Sequence, residues 1–162
     1  MSLAIPVLIP AFPPAMKFSA AVEPEESGHA ESLAARVVSV LVVDDERLIA
    51  DSVAEILNEH GFKASAVYSG DAAISRTQEL RPDIVMADVL MPRMNGIETA
   101  KAISKISPET RILLFSGQAA TVDLLRQARS AGVEFDLLPK PIHPEELLRK
   151  IKRLAKRDPQ AS

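Results

Sequence analysis

Val37-Val38-Ser39-Val40-Leu41-Val42-Val43-Asp44-Asp45 is the stretch that decides the fold. Apart from Ser39, Val37 to Val43 is an apolar, mostly β-branched run without regular polar alternation, the character of a strand buried on both faces of a parallel sheet. It stops abruptly on two carboxylates. In open α/β sheets, ligands bind beyond the carboxyl ends of the strands, so the position of this charge matters as much as the run before it.

Working outward, the same unit recurs. Ile49, Val53, Ile56 and Leu57 return at helical spacing on one face, and Gly61 after His60 supplies a helix stop. Residues 62–67 read as a second strand, and Ser69-Gly70-Asp71 as the turn into an Ala-rich helix ending at Leu80. Arg81-Pro82-Asp83 punctuates, and residues 84–87 form a short buried strand that delivers Asp88. After a loop to Gly96, Ile97, Ala100, Ile103 and Ile106 mark a third helix, which Pro108 ends before a fourth strand over 111–115. That strand stops at Ser116-Gly117; helix four covers about 119–131, closed by Gly132, and residues 135–138 make strand five. Lys140-Pro141 turns the chain into a last amphipathic helix carrying Leu147, Leu148, Ile151 and Leu154, with Pro144, Glu145 and Glu146 suited to its N-terminus. Five strands alternating with five helices predict a doubly wound α/β fold, because parallel neighbours need helical crossovers.

Composition narrows the chemistry. At 162 residues, 47% hydrophobic and 25% charged, the chain fits one ordinary globular domain. A net charge of -3 gives no reason to expect nucleic-acid or membrane partners. The absence of cysteine removes disulfides, thiolate metal sites and cysteine nucleophiles, and suits a reducing, cytoplasmic setting. Residues 1–36 are expected to form an unpacked extension: Pro6, Pro10, Pro13, Pro14 and Pro24 interrupt it, its apolar stretch 3–12 lacks a preceding basic residue, and 23–32 turns acidic like a linker. The folded domain is expected over 37–157, with a short polar tail at 158–162 and no effector domain after it. His29, His60 and His143 show no metal spacing, and the basic run 149–157 reads as a solvated helix face.

The strand ends carry Asp44-Asp45, Asp88, Ser116 and Lys140, which the fold would bring together. Close carboxylate pairs repel by roughly 1–4 kcal/mol at 4 Å between water and a surface-like dielectric. A hard divalent ion such as Mg²⁺ offsets this, since it prefers carboxylate and phosphate oxygens. Asp88 can then act as a nucleophile toward a phosphoryl group, with Lys140 as the fixed cation and Ser116 as a hydroxyl donor. Plainer readings stand beside these. Taken alone, Asp44-Asp45 reads as a solvated, helix-capping turn, Ser116 as the cap of helix four, Lys140 as a surface lysine, and Gly96 as a backbone necessity at a helix start; together they favour the site.

Together, Val40-Leu41-Val42-Val43-Asp44-Asp45, Asp88-Val89-Leu90-Met91-Pro92 with Gly96, Phe115-Ser116-Gly117 and Lys140-Pro141 resemble the receiver domain of two-component response regulators, over about 37–157. The resemblance implies a flavodoxin-like sheet of strand order 2-1-3-4-5. It implies phosphorylation of Asp88 by a sensor histidine kinase, with Mg²⁺ (or Mn²⁺) held by Asp44, Asp45, Asp88 and the backbone carbonyl of Leu90. Ser116 and Lys140 would bind the phosphoryl group beside a cis Lys140-Pro141 bond. Output would pass to a downstream protein or phosphotransfer partner, as a switch rather than a conventional enzyme. The family's switch pairs Ser116 with an aromatic residue three positions before the lysine. Leu137 stands there, while Phe135 lies five before it, so either Phe135 takes the role or switching proceeds without an aromatic. A phosphorylation-independent binding module of the same fold is the alternative function. A haloacid-dehalogenase-type hydrolase would need a second aspartate two residues after Asp88, where Leu90 stands.

Overall fold

A computed structural model describes residues 36–117, 121–130 and 132–156. Along the chain run β1 (Ser39–Val43), α1 (Arg47–Glu59), β2 (Lys63–Val67), α2 (Gly70–Leu80), β3 (Ile84–Asp88), α3 (Gly96–Ile106), β4 (Arg111–Ser116), α4 (Thr121–Ser130), β5 (Asp136–Pro139) and α5 (Pro144–Lys156). The five strands form one parallel sheet of order β2-β1-β3-β4-β5, the flavodoxin-like arrangement.

β1 is buried on both faces because its neighbours are covered by helices on both sides. Val40 and Val42 pack with α1 residues Val53 and Leu57 and α5 residues Leu147 and Ile151. Leu41 and Val43 point the other way, into a second core with Ala73 of α2, Ile97 and Ile103 of α3 and Ala128 of α4. Each fully buried aliphatic side chain of this kind contributes roughly 1.5–3 kcal/mol, which is why a run without polar alternation suits the centre of the sheet.

The helix boundaries follow local chemistry. Gly61 takes a positive φ of 85° after the His60 C-cap of α1, and Arg81 takes the left-handed conformation at the end of α2 just before Pro82. Ser69 caps α2 by accepting from the Ala72 amide at 3.2 Å. Asn95 and Glu98 close a reciprocal capping box at the start of α3, worth about 1 kcal/mol. His143 gives its carbonyl to the Leu147 amide at 3.0 Å where α5 begins.

Strand edges differ slightly from the sequence reading. β1 and β2 start later than residues 37 and 62, β4 extends one residue to Ser116, and β5 is Asp136–Pro139 rather than 135–138. The last shift arises because pairing runs from Leu113↔Asp136 to Ser116↔Pro139, leaving Phe135 just ahead of the ladder. The expectations for residues 1–35, for Ala119 and Ala131 as ends of helix four, and for residues 157–162 lie outside the described residues. Among the described residues, no helix is long and apolar enough to cross a membrane.

Candidate functional site

Four strand tips build the site. β1 ends at Val43, so Asp44 and Asp45 follow immediately; β3 ends on Asp88; β4 ends on Ser116; and Lys140 follows β5. Because all strands are parallel, these tips lie on one edge of the sheet. Lys140 is locked by its own backbone, its N–H donating to the Ser116 carbonyl at 2.9 Å, and the Lys140-Pro141 bond is cis.

The carboxylates converge. Asp44, Asp45 and Asp88 each offer an oxygen within 4.8 Å of the others. The Lys140 ammonium lies 2.9 Å from Asp88 Oδ2 and 3.5 Å from Asp44 Oδ2. Asp88 Oδ1 accepts from the Leu90 amide at 3.3 Å, so Leu90 is tied to the aspartate two residues before it. Asp44 and Asp88 are buried, whereas Asp45 is exposed at the rim.

Burial is the main influence on Asp44 and raises its carboxyl above the ordinary value of 3.8, against the pull of the Glu46 amide and the Lys140 charge. Burial would lower the Lys140 ammonium, but its bond to Asp88 and the charges of Asp88 and Asp44 more than compensate, and it ends above 10.5.

Asp44 Oδ1 accepts from the Glu46 amide at 2.9 Å, yet the N-cap of α1 is Glu46 itself. The other oxygen, Oδ2, is buried without a hydrogen-bond partner. Ser116 is not the cap of α4, which begins at Thr121. Lys140 is not a free surface lysine. Phe135 and Leu137 both pack into the core shared with α3 and α4, and the Arg129 guanidinium sits 5.4 Å from the Phe135 ring centroid. Phe135 thus lies just before the strand, at the opposite end of β5 from Lys140, and packs into the same core as Leu137.

Three carboxylates against one ammonium leave a local excess of negative charge. A buried oxygen that has the Lys140 charge at 3.5 Å but accepts no hydrogen bond, an all-oxygen donor set and that excess fit a hard divalent cation. Soft metals are disfavoured by the donor chemistry, since thiolate and imidazole are missing from the cluster.

Residues 40–152 match the family profile described as the Response regulator receiver domain. The chain belongs to that family. As a receiver domain it is 35% identical over 120 residues to the chemotaxis protein CheY of Thermotoga maritima, covering 72% of this chain and 97% of the relative. It is 30% identical to the DNA-binding response regulator MtrA of Mycolicibacterium paratuberculosis, covering 74% of this chain but 52% of that protein. The receiver domain therefore spans nearly all of CheY and about half of MtrA. Among solved structures, the Vibrio cholerae chemotaxis protein CheY4 superposes with a TM-score of 0.66 at 32% identity, covering 73% of this chain and 98% of that one.

Reading the sequence located Asp44, Asp45, Asp88 and Lys140 as one cluster, and the structure brings them together. It missed the Leu90 amide as a partner of Asp88. It also missed the capping box at Asn95, whose signal, Asn followed three residues later by Glu, was visible.

Proposed function

We propose that Asp88 accepts a phosphoryl group from the phosphohistidine of a sensor kinase and that the resulting charge switches binding to a downstream protein. The observation that carries this reading is the 2.9 Å pairing of Lys140 with an Asp88 carboxylate that shares its pocket with two further carboxylates. In the transfer, an Asp88 oxygen bonds to phosphorus as the phosphorus–nitrogen bond breaks, its electron pair staying on the imidazole. Charge grows on the transferred oxygens, and preorganised cations at that point are the main source of acceleration.

In this reading the Lys140 ammonium stays in place and passes its hydrogen bond from the Asp88 carboxylate to the new phosphoryl oxygens, and Ser116 donates its hydroxyl to them. The Leu90 amide steadies the carboxylate before attack. Asp44, Asp45, Asp88 and the Leu90 carbonyl would hold Mg²⁺ (or Mn²⁺), which supplies charge neutralisation for the phosphoryl oxygens when bound. Phe135 and Leu137, packed beside α4, form the side of the sheet through which a displacement at Ser116 would be felt.

Incubation with acetyl phosphate and Mg²⁺ should add one phosphate to the intact mass, and chelation or Asp88→Asn should abolish it. An adduct that persists in Asp88→Asn would reject Asp88 as the acceptor. Partner binding of equal strength for wild type and Asp88→Asn, with and without acetyl phosphate, would favour the phosphorylation-independent binding module instead.

A further inference from the structure

Of Phe115-Ser116-Gly117, the acceptor reading uses only the serine, yet both flanking residues bear on Lys140. The Lys140 ammonium lies over the Phe115 ring, 5.0 Å from its centroid, within the range in which a ring face attracts a cation. Phe115 is fully buried and held by the ladders on both sides, opposite Asp88 on β3 and Leu138 on β5. Its ring is a fixed surface. At Gly117, a Cβ would stand 3.3 Å from Lys140 Cβ and 3.6 Å from its Cδ, so the bare glycine leaves room for the lysine stem.

A lysine side chain gives up much rotamer freedom when fixed, and two carboxylates on one side of the ammonium do not by themselves define where it sits. A ring face supplies attraction without consuming any of its N–H donors. The donors stay available to Asp88, Asp44 and an incoming phosphoryl group.

We propose that Phe115 is a positioning residue: the face of its buried ring, together with the slot left by Gly117, holds the Lys140 ammonium beside Asp88 and so speeds phosphoryl capture there. The kinetic part rests on Asp88 being the acceptor; the positional part does not.

Simple core filling is the competing role, and replacing Phe115 alone by mono-, di- and trifluorinated phenylalanine separates the two, because fluorine weakens the ring face with little change of volume. Two readouts are taken on the full chain: the order parameter of the Lys140 ε-methylene by NMR, and the rate of labelling by acetyl phosphate with Mg²⁺. We expect stepwise loss of lysine order and stepwise slowing, reaching about two- to fivefold for the trifluoro form. A flat order parameter across the series overturns the positioning role, whether or not Asp88 takes the label. Graded order with an unchanged labelling rate overturns the kinetic role. A wild type that stays unlabelled rejects the acceptor, and the kinetic role with it, while the lysine order still decides the geometry. Phe115→Leu gives an independent check: the ring-current displacement of the Lys140 methylene protons should vanish, and its persistence would count against the contact.

Discussion

Gly96 sets its bare α-carbon against the backbone carbonyl of Asp88, so closely that a Cβ at position 96 would overlap that oxygen. The Gly96 amide also donates to the Val89 carbonyl at 3.1 Å, folding the loop 89–95 back under the end of β3. The need is for space, since the obstructing atoms belong to the backbone and cannot rotate away.

Gly96→Ala should therefore destabilise the fold by about 1–3 kcal/mol, toward the upper end because backbone must shift. Urea unfolding measures this. A change below about 0.5 kcal/mol, the scale of an ordinary surface substitution, would show that the loop relaxes freely and that the close approach is not a constraint.

Asp44 makes a pH prediction with a definite sign. Burial raises its folded pKa above 3.8, so its contribution favours the fold below 3.8 and is lost as pH rises through the folded value. At neutral pH the ionised, partly unsatisfied carboxylate is a net cost. Asp44→Asn should stabilise the metal-free protein at pH 7. The gain should shrink toward zero as pH falls below 3.8, where the native side chain is neutral as well. Lys140 does not disturb this window: its raised pKa keeps its contribution intact until pH passes above 10.5. Thermal melts across pH, run with chelator, would reverse the idea if Asp44→Asn lost stability at neutral pH.

Divalent metal should act in the opposite direction on the same residue. Mg²⁺ at a hundred times its dissociation constant should stabilise the native chain by about 2.7 kcal/mol. Asp44→Asn and Asp45→Asn should each weaken that binding about tenfold or more, judged from the smaller cost of losing even indirect supporting contacts. Titration of the melting temperature with Mg²⁺, against matched monovalent salt, is the measurement. Equal shifts in all three proteins would remove the acidic pair from the metal site.

Asp83 anchors the far end of the sheet. Its Oδ2 accepts from both the amide and the hydroxyl of Ser39, each at 2.8 Å, while the Asp83 amide donates to the Ser39 hydroxyl at 3.1 Å. Hydrogen bonds to a charged acceptor contribute about 1.5–3 kcal/mol each. Asp83→Ala should cost about 2–4 kcal/mol and speed hydrogen exchange at the Ser39 amide, because β1 and β3 are the central strands. The Arg36 ion pair at 2.9 Å adds little, its side chain being 80% exposed, so Arg36→Ala should be near neutral.

Some of this protein was settled by the chain's own order of residues. Residues 40–43 had to belong to an inner strand because they are apolar on both faces, and the later runs at 84–87, 111–115 and 135–138 lead into Asp88, Ser116 and Lys140, which now stand at the site. Hydrophobic periodicity and turn residues are local, so a linear reading can recover elements, their order and the polar residue at each tip. It could not decide how Asp44 is buried, that Lys140 reaches two carboxylates and an aromatic face at once, that Asp83 grips Ser39 across 44 residues, or that Phe135 falls outside the β5 ladder. Those are consequences of strand order and register. They depend on distances between segments remote in the chain, and only packing the sheet against its two helical layers fixes them.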